Sequence, residues 1–358
     1  MKWYINKKIR KGKVTDVTRR NFLKTGLSGI VGLVTSRAGS ASWNSITENQ
    51  SKRRLVQTVT GTISPDAMGL ILPHEHIMCD FVGADQVSKE RYDPDEIIKT
   101  MLPYLQEIKR LGVQTFVDCT PAYIGRDPEI LARLSRTAGI YILTNTGFYK
   151  EPYLPKYTWK VSAERLAEMW AAEILEGINE TGIKAGFIKI AVNPGPLIPI
   201  QKKIVTAASR THKMTGAAIA SHTVKGVAAI EQLDILEHEK VDPASFIYVH
   251  ASGEPEQKYH FEVAQRGAWV EYDTIRKETS EKHIELIFTM LDKGFEDNLL
   301  LSQDSGWYRV GEPHGGKING YSYLLREFLP ILEAKGVGKE LIHKLTVLNP
   351  SRAFTMQR

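Results

Sequence analysis

Short apolar runs alternate with longer amphipathic stretches along most of this chain. The runs are "GLILPHEH" (69–76), "TFVDCTP" (115–121), "YILTNTGFY" (141–149), "GFIKIAV" (186–192), "AAIASHT" (217–223), "FIYVHAS" (246–252), "AWVEYDTI" (268–275) and "NLLLSQDSGW" (298–307). Between them the apolar positions follow helical spacing. The stretch 93–112, "DPDEIIKTMLPYLQEIKRLG", enters on Asp-Pro and leaves at Gly112. The stretch 162–178, "SAERLAEMWAAEILEGI", opens on Ser162 as an N-cap, with Arg165 where a capping box would carry Glu. Residues 63–69, "ISPDAMG", have the composition of a turn. Strands that alternate with helices predict parallel βαβ units, and eight such units predict a (β/α)8 TIM barrel. A doubly wound open sheet is the competing architecture. No G-x-G-x-x-G follows the first run, so a dinucleotide-binding fold lacks its usual support. A chain of 358 residues is long enough for one such barrel.

The first 60 residues break the alternation. Residues 18–24 read "TRRNFLK", with lysines before them and "TGLSGIVGLVTSRAGSAS" after. A basic region, a short apolar stretch and small residues in this order resemble a twin-arginine export signal built on Arg19 and Arg20. A basic unstructured tail is the plainer alternative. The apolar stretch is much shorter than the roughly 20 residues of a membrane-spanning helix. The signal is expected to span 1–41, with cleavage after Ala41 or Ser42, a linker over 42–60 and one catalytic domain over 61–358. It implies a periplasmic protein with no transmembrane segment in its mature form. The charge balance changes accordingly. The whole chain carries +6, but removing residues 1–41 leaves 37 basic and 40 acidic residues, a net charge of −3. The case for a nucleic-acid partner disappears with the leader. Cys79 and Cys119 are the only cysteines, too few for a disulfide framework or a thiolate zinc cluster, and two buried free thiols are expected.

In a barrel enzyme the active site lies at the C-terminal ends of the strands. Those ends carry His74 and His76 on run one, Lys189 within run four, His222 on run five, His250 on run six and Asp304 on run eight. The spacing of two puts His74 and His76 on one face, with Glu75 directed to the other. Each has an ordinary reading taken singly: a satisfied polar residue, a lysine reaching solvent, an aspartate capping a helix. Together they form a metal-ligand constellation. A bare lysine repels divalent cations, so Lys189 suits such a site only when its amine is converted into an anion, as a carbamate formed with CO₂ is.

The set His74-x-His76, Lys189, His222, His250 and Asp304 resembles the phosphotriesterase-like branch of the amidohydrolase superfamily. "LPHEH", "GFIKIAV", "SHT", "VHAS" and a closing "NPSRAF" carry the resemblance, which spans nearly all of residues 60–354. It implies a binuclear divalent-metal site, with Zn²⁺ expected and Mn²⁺, Fe²⁺ or Co²⁺ as substitutes. It assigns His74, His76 and Asp304 to the more buried metal and His222 and His250 to the more exposed one. Carboxylated Lys189 and a hydroxide bridge them. Asp304 receives a proton and relays it outward.

The resemblance also implies a hydrolase of lactones or carboxylic esters, a small-molecule partner, and a homodimer as the assembly to test. Organophosphate triesters are the alternative substrate, and a non-catalytic periplasmic metal-site binding protein is the alternative class. Tyr149 stands where lactonase-type members carry a tyrosine beside the metals; organophosphate hydrolases carry tryptophan there. Two features depart from the lactonase pattern. Arg276 follows strand-end Asp273 by three residues rather than one, and the eighth loop reads "SGWYRVGEPHGGKINGYSY". Trp307, Tyr308 and Arg309 are candidates to line the pocket with Arg276, whereas His314 is not expected to be a ligand. The export signal is directly testable. Replacing Arg19 and Arg20 with lysine should retain the precursor in the cytoplasm, and a doubly substituted chain that still reaches the envelope and is trimmed would overturn the assignment.

Overall fold

The computed structural model describes residues 54–357, so the expected export signal and most of the expected linker lie outside the described residues. Eight parallel strands form a (β/α)8 barrel. They are Leu70–Cys79 (β1), Val113–Asp118 (β2), Tyr141–Leu143 continued by Asn145–Thr146 (β3), Phe187–Ala191 (β4), Ile219–His222 (β5), Phe246–Val249 (β6), Trp269–Tyr272 (β7) and Leu299–Leu301 (β8). Each pairs in parallel with the next from β1 to β8. The ring closes between the end of β8 and β1. There Asp304 N donates to His74 O at 3.2 Å and His76 N to Ser305 O at 2.9 Å, while His74 N reaches the Ser302 hydroxyl at 3.0 Å.

A helix follows each strand: Pro94–Arg110 (α1), Pro128–Ala138 (α2), Ala163–Leu175 (α3), Pro199–Thr215 (α4), Gly226–His238 (α5), Lys258–Gln265 (α6), Ser280–Asp292 (α7) and Leu329–Ala334 (α8). Their starts follow the expected chemistry. Asp93 caps α1 through the amide of Asp95 ahead of Pro94, and Ser162 caps α3 through the amide of Arg165. Helix α1 buries Ile97, Met101, Leu105 and Ile108, the stripe that a 3.6-residue period directs to one side.

Residues 54–58 differ from the linker expectation. Arg54–Thr58 is a strand that forms a hairpin with Gly61–Ile63 and pairs along its other edge with Met356–Gln357. Val56 is the physical reason: it is fully buried among Met68, Ile71 and Phe354, which form the barrel floor.

Alternation along the strands sorts the core into two layers. Val117, Leu143, Phe187, Ala220, Ile247, Trp269 and Leu300 fill the barrel interior, while Phe116, Ile188, Ile190, Tyr248, Val270 and Leu301 pack outward under the helices. Lys189 shares its face with Phe187, and Glu271 and Asp273 share theirs with Trp269. On β1 the phase changes: interior Ile71 and the two histidines have opposite parity. A register shift against β2 between Leu72 and Glu75 absorbs the difference, as a bulge does.

Two glycines allow the backbones of the site to approach closely. A Cβ on Gly147 would lie 2.3 Å from Lys189 O, and one on Gly306 would lie 1.9 Å from His76 O; both residues have left-handed φ, +104° and +101°. Gly147→Ala should therefore cost about 3 kcal/mol, combining backbone strain with the clash. Gly139→Ala, at φ +67° with open space around the site of its Cβ, should cost only about 1 kcal/mol. Denaturant unfolding of the two variants checks this; equal losses would mean that the approach to Lys189 imposes no constraint.

Candidate metal centre and its mouth

The upper layer of the barrel is polar where the lower is apolar. His74, His76, Lys189, Glu271 and Asp273 are all buried, and His222, His250 and Asp304 lie at the rim of the same layer. The imidazoles form one cluster, with ring centroids 5.4 Å apart for His74 and His76, 5.1 Å for His74 and His250, and 4.5 Å for His222 and His250. Asp304 Oδ1 lies 3.1 Å from His76 Nε2 and 3.7 Å from His74 Nε2. Five of the six residues expected as ligands, His74, His76, His222, His250 and Asp304, lie in one cluster, and Lys189 is buried in the same layer. His250 at φ +63° and Asp304 at φ +52° do so from left-handed backbone, which re-aims each side chain just beyond its strand.

Hydrogen bonding fixes which imidazole nitrogen is free. Thr120 Oγ1 lies 3.1 Å from Met78 O and 2.7 Å from His76 Nδ1. A hydroxyl has one proton, and Met78 O can only accept it, so Thr120 receives the proton of His76 Nδ1. His76 Nε2 then carries a lone pair aimed at the Asp304 carboxylate. Burial points the same way, depressing the pKa of His76 to about 4 and keeping the ring neutral. Two acceptors that face each other in a dry site call for a cation between them. His250 is arranged likewise: its Nδ1 donates to Asp273 Oδ1 at 2.7 Å and its backbone N–H to Asp273 Oδ2 at 2.8 Å, leaving Nε2 as the donor atom.

Several buried polar atoms of this layer lack a hydrogen-bond partner: His74 Nδ1, Lys189 Nζ, Glu271 Oε1 and Asp304 Oδ1. Buried polar groups are nearly always satisfied, so orphans gathered in one place signal a missing ligand. His74, His76 and Asp304 offer one donor atom each within 4.8 Å of one another, a set of imidazole and carboxylate donors that fits a divalent ion. His74, His250 and Asp273 also meet that limit, but there Asp273 is engaged in hydrogen bonds with His250.

Glu75, directed away from the barrel axis, supports the ligands from behind. It is fully buried and accepts from Ser302 Oγ at 2.9 Å, Gln303 N at 3.1 Å and Ser305 N at 2.7 Å. Burial raises its pKa to about 8 against the pull of these donors. Asp118 serves β1 similarly, accepting from Ile77 N at 2.8 Å and Thr120 N at 3.1 Å. Glu75, Asp118, Thr120, Glu271 and Asp273 were not singled out as site residues from sequence. For Glu271 and Asp273 the signal was present, because "EYD" repeats the spacing of two that marks His74 and His76.

The mouth is aromatic. Trp307 stacks on His76 with centroids 3.7 Å apart, and its Nε1 donates to Asp304 O at 2.8 Å. Phe81, 43% exposed, stands between Trp307, Tyr149 and Tyr153. Tyr149 OH lies 3.3 Å from His222 Nδ1. A cavity of about 300 Å³ opens here, lined by Cys79, Phe81, Arg276, Asp304, Trp307, Arg309 and Asn319. Trp307, Arg309 and Arg276 line this cavity. Tyr308 does not: strand Gly306–Arg309 alternates, so Tyr308 turns away from the mouth, is buried in the outer core and packs against Gly315. His314 is exposed and meets Glu96 at 3.2 Å, away from the ligands. Cys79 and Cys119 are free and buried.

Comparison with known proteins agrees with this geometry. The model of the phosphotriesterase family matches residues 54–354. The phosphotriesterase homology protein of Escherichia coli is 29% identical, covering 82% of this chain and 100% of its own. An aryldialkylphosphatase of Saccharolobus solfataricus is 26% identical over 82% of this chain and 97% of its own. A mutant of a PTE-like lactonase from Deinococcus radiodurans superposes with a TM-score of 0.77 at 30% identity, covering 84% of this chain and 99% of that one. The chain, whose barrel carries that set of converging donors at its mouth, belongs to the phosphotriesterase family of metal-dependent hydrolases.

Proposed function

We propose that this protein is a binuclear metal-dependent hydrolase of a lactone or carboxylic ester. The observation that carries the reading is the facing of two acceptors, His76 Nε2 and Asp304 Oδ1, 3.1 Å apart amid unpartnered buried donors. His74, His76 and Asp304 would hold the more buried ion and His222 and His250 the more exposed one. Lys189, whose amine has no hydrogen-bond partner, would join both after reaction with CO₂ to a carbamate with loss of a proton. When bound, such ions lower the pKa of water and polarise a substrate oxygen. Zinc is the expected metal, since imidazole and carboxylate donors suit it.

The chain's own groups supply the remainder. Asp304 is partly exposed at the rim, with 18% of its side chain accessible, and can take a proton and pass it outward. Burial raises the pKa of Tyr149, so its hydroxyl stays protonated and can donate to the ring oxygen of a lactone beside His222. Phe81 and Trp307 form the apolar wall that excludes water from that side. The relatives named as a lactonase and as an aryldialkylphosphatase both remain models for the substrate, and Tyr149 is the feature that favours the lactone. Export by Arg19 and Arg20 would place this activity in the periplasm, after folding and metal loading in the cytoplasm.

Metal content tests the centre. Protein prepared with divalent metal and bicarbonate should hold close to two ions per chain. Lys189→Ala should lose the bridge and most activity, with partial rescue by a short-chain carboxylic acid; an active wild type holding one ion or none would overturn the binuclear reading. Substrate preference tests the chemistry. The ratio kcat/KM should be higher for lactones than for a phosphotriester. Tyr149→Phe should cost the lactone about tenfold, or about 1.4 kcal/mol, more than the triester. A triester hydrolysed faster than every lactone tested would reverse the assignment, and no turnover of any ester by metal-replete protein would leave a binding role.

A further inference from the structure

The orphaned atoms of the upper layer divide into two kinds. Lys189 Nζ and Asp304 Oδ1 belong with the donors already assigned to the metals. His74 Nδ1 and Glu271 Oε1 do not, and they lie 3.5 Å from each other. If His74 gives Nε2 to a metal, as its 3.7 Å separation from Asp304 Oδ1 suits, its Nδ1 must carry the proton. That proton needs an acceptor. Asp273 Oδ2, 3.3 Å away, already accepts from the backbone N–H of His250 at 2.8 Å and Asp273 Oδ1 from the His250 ring at 2.7 Å, so a bond from His74 would be the third on one carboxylate, shared with Glu271. Glu271 Oε1 has no hydrogen-bond partner, and its side chain is 1% exposed, out of reach of bulk solvent. A closure of about half an ångström brings the two orphans into hydrogen-bond range and satisfies both.

We infer that Glu271 is the positioning residue of the buried metal site: its carboxylate accepts the Nδ1 proton of His74 and so aims His74 Nε2 at the metal. The inference rests on the metal-centre reading above. It also accounts for a buried carboxylate that would otherwise be a pure cost. Two divalent ions in the same layer favour the ionised form of Glu271 and are in turn held by it. Asp273 does for His250 what Glu271 does for His74, so β7 supplies both second partners from residues two apart on one face.

The test uses zinc-loaded wild type, Glu271→Gln and Glu271→Leu. A graded chelator challenge counts the ions retained, and nitrogen-15 histidine spectra follow the His74 Nδ1 proton. Glu271→Gln should release one of its two ions at about 10- to 100-fold lower chelator concentration, and Glu271→Leu more readily still. The metal-free variants should melt no lower than metal-free wild type, because an unpaired buried charge has been removed; a residue that merely held the fold would lower that melting temperature. Zinc retained as tightly as in wild type, with the His74 signal unmoved, would overturn the role of Glu271 while leaving the metal centre intact. A wild type that holds no zinc would overturn the metal-centre reading and this inference with it. Should the leucine variant fail to fold, the glutamine variant decides the question alone.

Discussion

The buried Glu75 carboxylate is the constraint on which the rest of the architecture depends. Four donors from 302–305 converge on it, and those residues form the join between the last strand and the first. Strand β8 is only three residues long, and at that height two backbone bonds, Asp304 N to His74 O and His76 N to Ser305 O, close the ring. The hydrogen bonds to buried Glu75 hold that join from behind, and in a dry surrounding leaving them unmade would be costly. The same join carries His74, His76 and Asp304. Closing the cylinder and assembling half of the proposed metal ligands are thus one structural event.

Placing so many ionisable groups in a barrel interior is expensive, and the fold confines the expense to one layer. Beneath it, Phe187, Trp269, Ile247 and Leu300 pack as an ordinary apolar core. Within the polar layer, donors and acceptors are matched so that many of the polar groups have a hydrogen-bond partner: Thr120 for His76, Asp273 for His250, Ser302 and Ser305 for Glu75. The atoms left over in that layer are His74 Nδ1, Lys189 Nζ, Glu271 Oε1 and Asp304 Oδ1. A site built this way is pre-organised by the protein and would be completed by the proposed metals, which would account for the unpartnered atoms.

Much of this was legible in the sequence because two simple periods carry it. The eight apolar runs and the amphipathic stretches between them predict the barrel, and a charged residue inside "FIKIA" stands out because every neighbour is apolar. What stayed hidden depends on backbone detail. Alternation is known only once a strand is placed, so Tyr308 could not be told from Trp307 before Gly306–Arg309 was seen to pair with β1. Glu75 resembles a residue pointing to solvent until the bulge and the short eighth strand show that it closes the ring. Residues 54–58 lack the length of a confident strand, and their pairing partner lies about 300 residues away at 356–357. The left-handed turns at His250 and Asp304 leave no mark that residue type alone reveals.

The stacking of Trp307 on His76 has an optical consequence. An indole whose ring lies 3.7 Å from the imidazole of a proposed metal ligand, with its N–H tied to the backbone of a second, would sense the electronic state of both. Emission from Trp307 would then respond to the nature of an ion on His76: a paramagnetic ion would quench it and a closed-shell ion would not. Metal occupancy would be read from the protein's own fluorescence, without any substrate.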